Sequence, residues 1–382
     1  MAEPFKLLIN EAVVTALAHH LQRVAGTGAF DAAAFRHRAL DGLDTLELKA
    51  RAGHVASALE AHLPADFDRA AGWLEATLGE VIPPDLQVLP PRDLAQGMGG
   101  WGLWPMTEFV ARRGLADPER ALQALHAMTR RFTAEWAVRP FLLEHPALTL
   151  ATFERWCRDP SAHVRRLVSE GSRPRLPWGV QLRPLIADPA PTLSLLAALQ
   201  DDPSAYVRRS VANHLNDIAK DHPEVVVQWL ERHLESACDD RRVLLRHASR
   251  TLIKQGHARA LACWGLGRAF EGRVAFAVSP ARIVLGEAVG LELQLQSLAR
   301  QPQALEVDYV VHHVGAGGRA RPKVFKGWKL TLAPGEARTL SRRHVMRPVT
   351  TRRYYPGEHR VELQVNGQRC GEAAFELCCG PG

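Results

Sequence analysis

Up to about Arg268 the apolar residues recur at intervals of three and four, as in AVVTALAHHL, HVASALEAHL, ALQALHAMTRRF and VVVQWLERHL. This is the period of amphipathic helices. Short polar punctuation separates them: ADPERA from Ala116, RDPSAHV from Arg158 and DDPSAYV from Asp201. In each, Asp or Ser suits a helix cap and Pro suits the first turn. MGGWGLWPM (Met98 to Met106) interrupts the pattern and reads as the closure of a helix pair. Near Gly272 the period falls to two, in VGLELQLQ (Val289 to Gln296), LEVDYVV (Leu305 to Val311), WKLTLAPGEARTLSRR and HRVELQVNG (His359 to Gly367). Alternation at that period predicts half-buried strands.

Three six-residue blocks recur within the helical part: RRFTAE (Arg130 to Glu135), RRLVSE (Arg165 to Glu170) and RRSVAN (Arg208 to Asn213), spaced by 35 and 43 residues. A weaker fourth, LRHASR (Leu245 to Arg250), begins 37 residues after the third. Repeats of this length predict a helical solenoid. The string D-P-S-A-x-V-R-R at Asp159 and again at Asp202 looks like the start of the second helix of a HEAT repeat. Glu135, Glu170, Asn213 and Arg250 are then expected at equivalent positions on successive stacked helices, facing the hollow of a curved superhelix. The expected fold is multidomain: an all-α HEAT-like solenoid over residues 1–268, then an all-β immunoglobulin-like sandwich over 272–382, with the linker between Gly265 and Gly272.

Composition is ordinary for a soluble globular chain, and no run of eighteen apolar residues suggests a membrane span. The start of the sequence lacks a secretory pattern, so a cytoplasmic location is expected, nucleoid-associated when bound to DNA. Six cysteines without C-x-x-C spacing argue against a zinc site or a disulfide framework and are expected to be reduced. No GxxxxGK[ST], HExxH or G-x-S-x-G string occurs, leaving nucleotide hydrolysis, zinc-protease and serine-hydrolase chemistry without local support. The net charge of +7 sits mostly in the C-terminal part, where Phe270 onward carries 16 Lys and Arg against 10 Asp and Glu. Such an excess suits a polyanionic partner, and equally suits solubility alone.

Candidate chemistry concentrates around the repeated acids. Glu135 lies in FTAEWAVRPF, among Phe132, Trp136 and Phe141 with Arg139 one turn on, a setting that desolvates a carboxylate unless the arginine offsets it. Glu170 opens EGSRPRLPWG, where Gly171, Pro174 and Pro177 end the helix and carry Arg173, Arg175 and Trp178 across its end. Asn213 lies in ANHLNDIAKDHP with Asp217 one turn on, on the same face. The structural alternative is that these acids simply pair with nearby arginines. The functional reading is that carboxylates stabilise a developing cation and orient water, aromatic faces attract cations, and arginines hold phosphates. That combination suits hydrolysis of a glycosidic bond in DNA whose base is already cationic.

FTAEWAVRPF, SEGSRPRLPW and SVANHLNDIAKDHP on a HEAT-like solenoid resemble the AlkC branch of the AlkC/AlkD bacterial DNA alkylation-repair glycosylases. The sandwich resembles the immunoglobulin-like domain some of its members carry. The resemblance implies excision of 3-methyladenine and 3-methylcytosine from double-stranded DNA without a deep base pocket. It also implies that Glu135, Glu170, Trp178 and Asp217 are catalytic and that Arg166 contacts DNA. Neither a cofactor nor a metal is expected. N3-methylated bases leave as neutral molecules and need little protonation, and no lysine stands out as a Schiff-base nucleophile, so a monofunctional glycosylase is expected. Further DNA contacts are expected from Arg139, Arg173, Asn213 and Lys220. In the sandwich they are expected in GGRARPKVFKGWK (Arg319, Lys323) and TTRRYYPGEHR (Arg352), while Arg342 and Arg343 equally suit protection of an edge strand. A monomer is expected. The competing readings are a non-catalytic HEAT scaffold for DNA or protein and, more weakly, a two-metal nuclease.

Overall fold

The computed structural model describes residues 5–26, 28–83, 93–266, 268–348 and 353–378. The helical part opens with α1 (Glu11–Ala25), α2 (Ala32–Leu40), α3 (Leu48–His62), α4 (Phe67–Ala76), α5 (Trp104–Arg113) and α6 (Pro118–Thr129). It continues through α7 (Arg139–Glu144), α8 (Pro146–Trp156), α9 (Ala162–Gly171), α10 (Arg183–Ala187), α11 (Ala190–Leu199) and α12 (Ala205–Asp221). The last helices are α13 (Pro223–His233), α14 (Asp239–Ala248), α15 (Arg250–Lys254) and α16 (Ala258–Cys263). Two compact units result. One holds residues 1–222 with 237–248, the other 223–236 with 249–382.

In the first unit, α9 packs against α12 and α12 against α14, while α8 lies beside α9 and α11 beside α12. This is the helix-pair stacking of a HEAT-like array. The apolar residues at three and four spacing are the ones inside: Val164, Leu167 and Val168 of α9 and Val207, Val211 and Leu215 of α12 are all buried.

The first arginine of the second and third repeated pairs staples neighbouring repeats. Arg165 holds Asp202 through two hydrogen bonds of 2.6 and 3.0 Å and turns back onto the carbonyls of Asp159 and Pro160. One repeat later, Arg208 reaches Asp240 at 2.8 Å and the carbonyls of Asp202 and Pro203. The D-P-S strings act differently from the expected cap. Pro160 and Pro203 precede the N-cap serines Ser161 and Ser204, whose side chains cap nothing. Instead the Asp159 and Asp202 carboxylates accept the backbone N–H of those serines at 2.7 and 2.8 Å, closing a turn just before each helix. The ADPERA string behaves as expected, with Asp117 capping α6 and Pro118 in its first turn.

In the second unit, the described residues form eight strands in two sheets: β1 (Gly272–Ser279), β2 (Arg282–Val284), β3 (Ala288–Ser297), β4 (Gln303–Val314), β5 (Ala320–Leu332), β6 (Ala337–Val345), β7 (Gly357–Val365) and β8 (Gln368–Cys378). Their orders are β1-β3-β6 and β2-β8-β7-β4-β5. Val289, Leu291, Leu293 and Leu295 of β3 turn inward to meet Val307, Val311, Val361, Leu363 and Phe375. Burial does not alternate in β4, where Leu305 through Val311 are buried without a break and which is flanked by β5 and β7. Two edge strands, β5 and β6, carry exposed Lys323, Lys326, Lys329, Arg338, Arg342 and Arg343. Charge of this kind discourages edge-to-edge pairing.

Replacing Asp202, which is 6% exposed, by Ala strands Arg165 and should cost about 3 kcal/mol. Replacing exposed Asp240 should cost less than about 1 kcal/mol. Urea midpoints of the two variants measure the difference, and equal shifts would show that the staple does not hold the repeats.

Candidate functional site

Glu170 is the penultimate residue of α9 and Asp217 lies in the last third of α12, but Glu135 is on no helix. The expectation that Glu135 and Glu170 sit at equivalent helical positions is therefore corrected. After α6 ends at Thr129, the carbonyls of Arg130 and Arg131 accept from Ile82 and Gly100 at 3.0 and 3.2 Å, and Arg131 Nε donates to the Gly79 carbonyl at 2.5 Å. Those bonds take the backbone groups that continued helix would need, so RRFTAE runs as a turn. Asn213 lies nine residues past the N-cap Ser204, as Glu170 does past Ser161, and its Oδ1 meets His247 Nε2 of α14 at 2.9 Å. Arg250 begins α15.

The three acids nevertheless join one chain of charges. The Glu135 carboxylate accepts from Arg166, whose other guanidinium nitrogen lies 3.6 Å from Glu170. Arg173 then bridges Glu170 at 2.5 Å and Asp217 at 2.8 Å, and Lys220 closes the chain on Asp217 at 2.8 Å. Ser210 adds a hydrogen bond of 2.6 Å to Glu170, and Thr133 one of 2.9 Å to Glu135. Glu135, Glu170, Arg173 and Asp217 are all buried. Burial pushes the Glu170 carboxyl up, yet the charges of Arg166 and Arg173 and the Ser210 hydroxyl outweigh it and leave its pKa below the ordinary value. Burial likewise opposes the charge on Arg173, and the two carboxylates it bridges more than restore it.

Glu135, Arg166, Glu170 and Arg173 line a cleft of about 350 Å³, together with an aromatic wall that includes Trp101, Trp136, Trp178 and Tyr206. Asp217 stands behind Arg173 and is not part of the lining. The rings of Trp104 and Trp136 stack at 4.2 Å, and Trp178 lies 5.9 and 6.2 Å from them. Trp178 is 54% exposed and has φ of 63°, an uncommon conformation for a bulky residue that its surroundings must impose. Lys49 donates to the Trp178 carbonyl at 2.7 Å and Trp136 Nε1 to the Pro177 carbonyl at 3.1 Å.

The principal clamp on that loop is Arg139. Its guanidinium donates to the carbonyls of Val180, Gly171 and Arg173 at 2.5, 2.8 and 2.8 Å. Burial and the neighbouring charge of Arg173 lower its pKa to about 10. Arg139 is 0% exposed, which corrects the expectation that it contacts DNA: its donors are spent on the chain. Arg173 is similarly committed to Glu170 and Asp217. Arg166 lines the cleft with Tyr206 over its guanidinium at 5.2 Å, and Lys220 is exposed. In the sandwich Arg319 and Lys323 are exposed, Lys323 with its ammonium 5.0 Å from the Phe325 ring, and Arg352 lies outside the described residues.

Tyr206, Ser210 and Thr133 escaped the sequence reading, and Trp101 and Trp104 figured in it only as part of an interruption. Two tryptophans in MGGWGLWPM were the available signal for the latter pair. The other three have none, since a serine or threonine in a helical repeat is ordinary until its partner is known. Among the described residues no group of three His, Cys, Asp or Glu side chains could hold a metal, and no helix is long and apolar enough to cross a membrane.

Comparison with known proteins agrees with this geometry. A family model described as DNA alkylation repair enzyme matches residues 129–252, which contain the whole charge chain, and one described as the C-terminal Ig-like domain of YhaZ matches 273–379. The chain belongs to the DNA alkylation repair enzyme family. Within it the chain falls in the AlkC branch: the alkylpurine DNA glycosylase AlkC of Pseudomonas fluorescens, solved bound to DNA containing an abasic site analog, is 39% identical, with a TM-score of 0.88 over 98% of this chain and 100% of that one. Uncharacterized protein YhaZ of Bacillus subtilis (strain 168) is 33% identical over 98% of this chain and 99% of its own length.

His214, fully buried beneath the site with Nδ1 2.9 Å from the Ser169 carbonyl, has its pKa pushed down to about 4 by burial. The unfolded chain therefore binds a proton that the folded one refuses between the ordinary value of 6.5 and about 4. Stability should fall as pH drops through that window, by roughly 3 kcal/mol in all. In His214→Gln that slope should be missing from urea titrations repeated at each pH, and an unchanged slope would show that His214 is not its source.

Proposed function

We propose that this protein is a monofunctional DNA glycosylase that hydrolyses the N-glycosidic bond of cationic N-methylated bases, 3-methyladenine and 3-methylcytosine, in double-stranded DNA. The observation that carries this reading is the chain of buried carboxylates bridged by Arg166 and Arg173 beside an open aromatic wall. A base methylated at N3 already bears the positive charge, so it departs neutral and needs no general acid. Charge instead develops on the deoxyribose. A carboxylate about 5 Å from that charge contributes about 3 kcal/mol at an effective dielectric near 20, or about two decades of rate. Arg166, Arg173 and Lys220 at similar distances offset this contribution. DNA phosphates compete for Arg166 and for exposed Lys220, and their withdrawal increases the net negative charge of the acids when substrate is bound, while Arg173 stays between Glu170 and Asp217.

Trp178 supplies an exposed face against the sugar or the cationic base. The shallow cleft supports recognition on the duplex over extrusion into a deep pocket. In this reading the helical domain, residues 1–268, performs the chemistry, and basic residues of the sandwich, 272–382, including Arg319, Lys323 and Arg352, add phosphate contacts. Similarity to AlkC, solved on DNA with an abasic site analog, supports the same partner for this chain. The protein acts as a monomer in the cytoplasm, associated with the nucleoid through DNA.

A non-catalytic scaffold is the second reading, and the ion pairing of every acid in the chain favours it. Release of free methylated base from alkylated duplex DNA in the presence of EDTA distinguishes the two. The wild type should release base, and Glu170→Gln should reduce the rate by about a hundredfold or more while binding DNA normally. A wild type that binds alkylated DNA but releases nothing would establish the scaffold.

A further inference from the structure

The three acids differ in how their oxygens are committed. Glu170 has both engaged: Oε1 accepts from Arg173 at 2.5 Å and Oε2 from Ser210 at 2.6 Å. Asp217 has both engaged as well, Oδ2 by Arg173 at 2.8 Å and Oδ1 by Lys220 at 2.8 Å, and it lies behind the cleft. Glu135 has one. Its Oε2 accepts from Thr133 at 2.9 Å and from Arg166, while Oε1 accepts no hydrogen bond from any described residue. Glu135 lines the cleft, and Oε1 is not sealed from it.

A carboxylate oxygen with no protein donor, on a side chain that is otherwise buried, is costly, and a small donor able to enter the cleft relieves that cost. Water is such a donor. A general base also needs a free lone pair within reach of the proton it takes and a fixed orientation, usually supplied by a third group. Thr133 provides the orientation: its hydroxyl donates to Oε2 and accepts the Glu135 backbone N–H at 3.3 Å, which holds the carboxylate to its own turn. Glu170 has each oxygen already held by a protein donor, Arg173 or Ser210, and is suited to act as a fixed negative charge.

We propose that, within the glycosylase reading on which this inference rests, Glu135 binds and deprotonates the attacking water through Oε1. Glu170 and Asp217 stabilise the sugar cation without touching that water. As the water oxygen bonds to C1′, the bond from C1′ to the base nitrogen breaks and its electron pair stays with the base, which leaves neutral. The proton released by the water passes to Glu135 and then to solvent. Thr133 is a positioning residue.

Chemical rescue tests the assignment. Glu135→Ala should lower kcat for base release by about a hundredfold with DNA affinity within about threefold of wild type, and sodium formate should restore about tenfold of the loss. Glu170→Ala and Asp217→Ala should gain less than about twofold from formate, because a diffusible acid does not replace a fixed charge. The near-isosteric Glu135→Gln, folded by circular dichroism, should be as slow as the alanine variant and indifferent to formate. Rescue of Glu170→Ala or Asp217→Ala, failure to rescue Glu135→Ala, or a Glu135→Gln variant of normal rate would each overturn the role. Inactive wild type would instead remove the glycosylase function itself, and this role with it.

Discussion

A guanidinium shared by two carboxylates ties the site together. Arg173 follows α9 and reaches Glu170 on that helix and Asp217 on α12, so neighbouring repeats cannot shift without separating buried opposite charges. Removing one partner of such a group leaves an uncompensated charge, which is why the arrangement is rigid even though its net worth against an apolar core is small. Arg165 and Asp202 do the same at the start of the same two helices. The cleft is thus fixed at both ends of α9 and α12, and the aromatic wall is assembled on a frame that is already set.

The loop bearing Trp178 depends on a second constraint. Arg139 buries its guanidinium among carbonyls of the segment from Gly171 to Val180. Backbone carbonyls at the end of a helix and in a proline-rich loop lack partners of their own, and one arginine satisfies several. Trp178 can then hold a left-handed backbone and leave its ring half in solvent. A residue chosen from sequence as a DNA contact is here an internal brace, and the loop it braces is the one that meets substrate in the proposed reaction.

The repeated RR blocks exposed the solenoid, and the change of period near Gly272 exposed the sandwich. Glu135 and Glu170 could be picked out because each stood beside aromatics, prolines or arginines unusual for a helical connection, and Asp217 because it lies one turn beyond Asn213 on the same face. Their equivalence could not be read correctly. RRFTAE matches RRLVSE letter for letter at its arginines and glutamate, yet one is a turn and the other a helix, because only the first meets the backbone of Ile82 and Gly100. Asn213, by contrast, does hold on α12 the position that Glu170 holds on α9, and is engaged by His247 of the next repeat.

By itself the sequence determined the elements and their kind, since hydrophobic period and turn residues act over a few positions and need no knowledge of neighbours. It also determined which titratable and aromatic side chains were available. The tertiary structure decided which of them meet: that Arg173 stands between two acids from different helices, that Arg139 is enclosed, and that of three carboxylates only Glu135 keeps an oxygen that accepts from no described residue. Each acid takes part of its hydrogen-bond commitment from a residue distant along the chain, Glu135 from Arg166, Glu170 from Ser210 and Asp217 from Arg173, and that part exists only once packing has brought their helices and turns together.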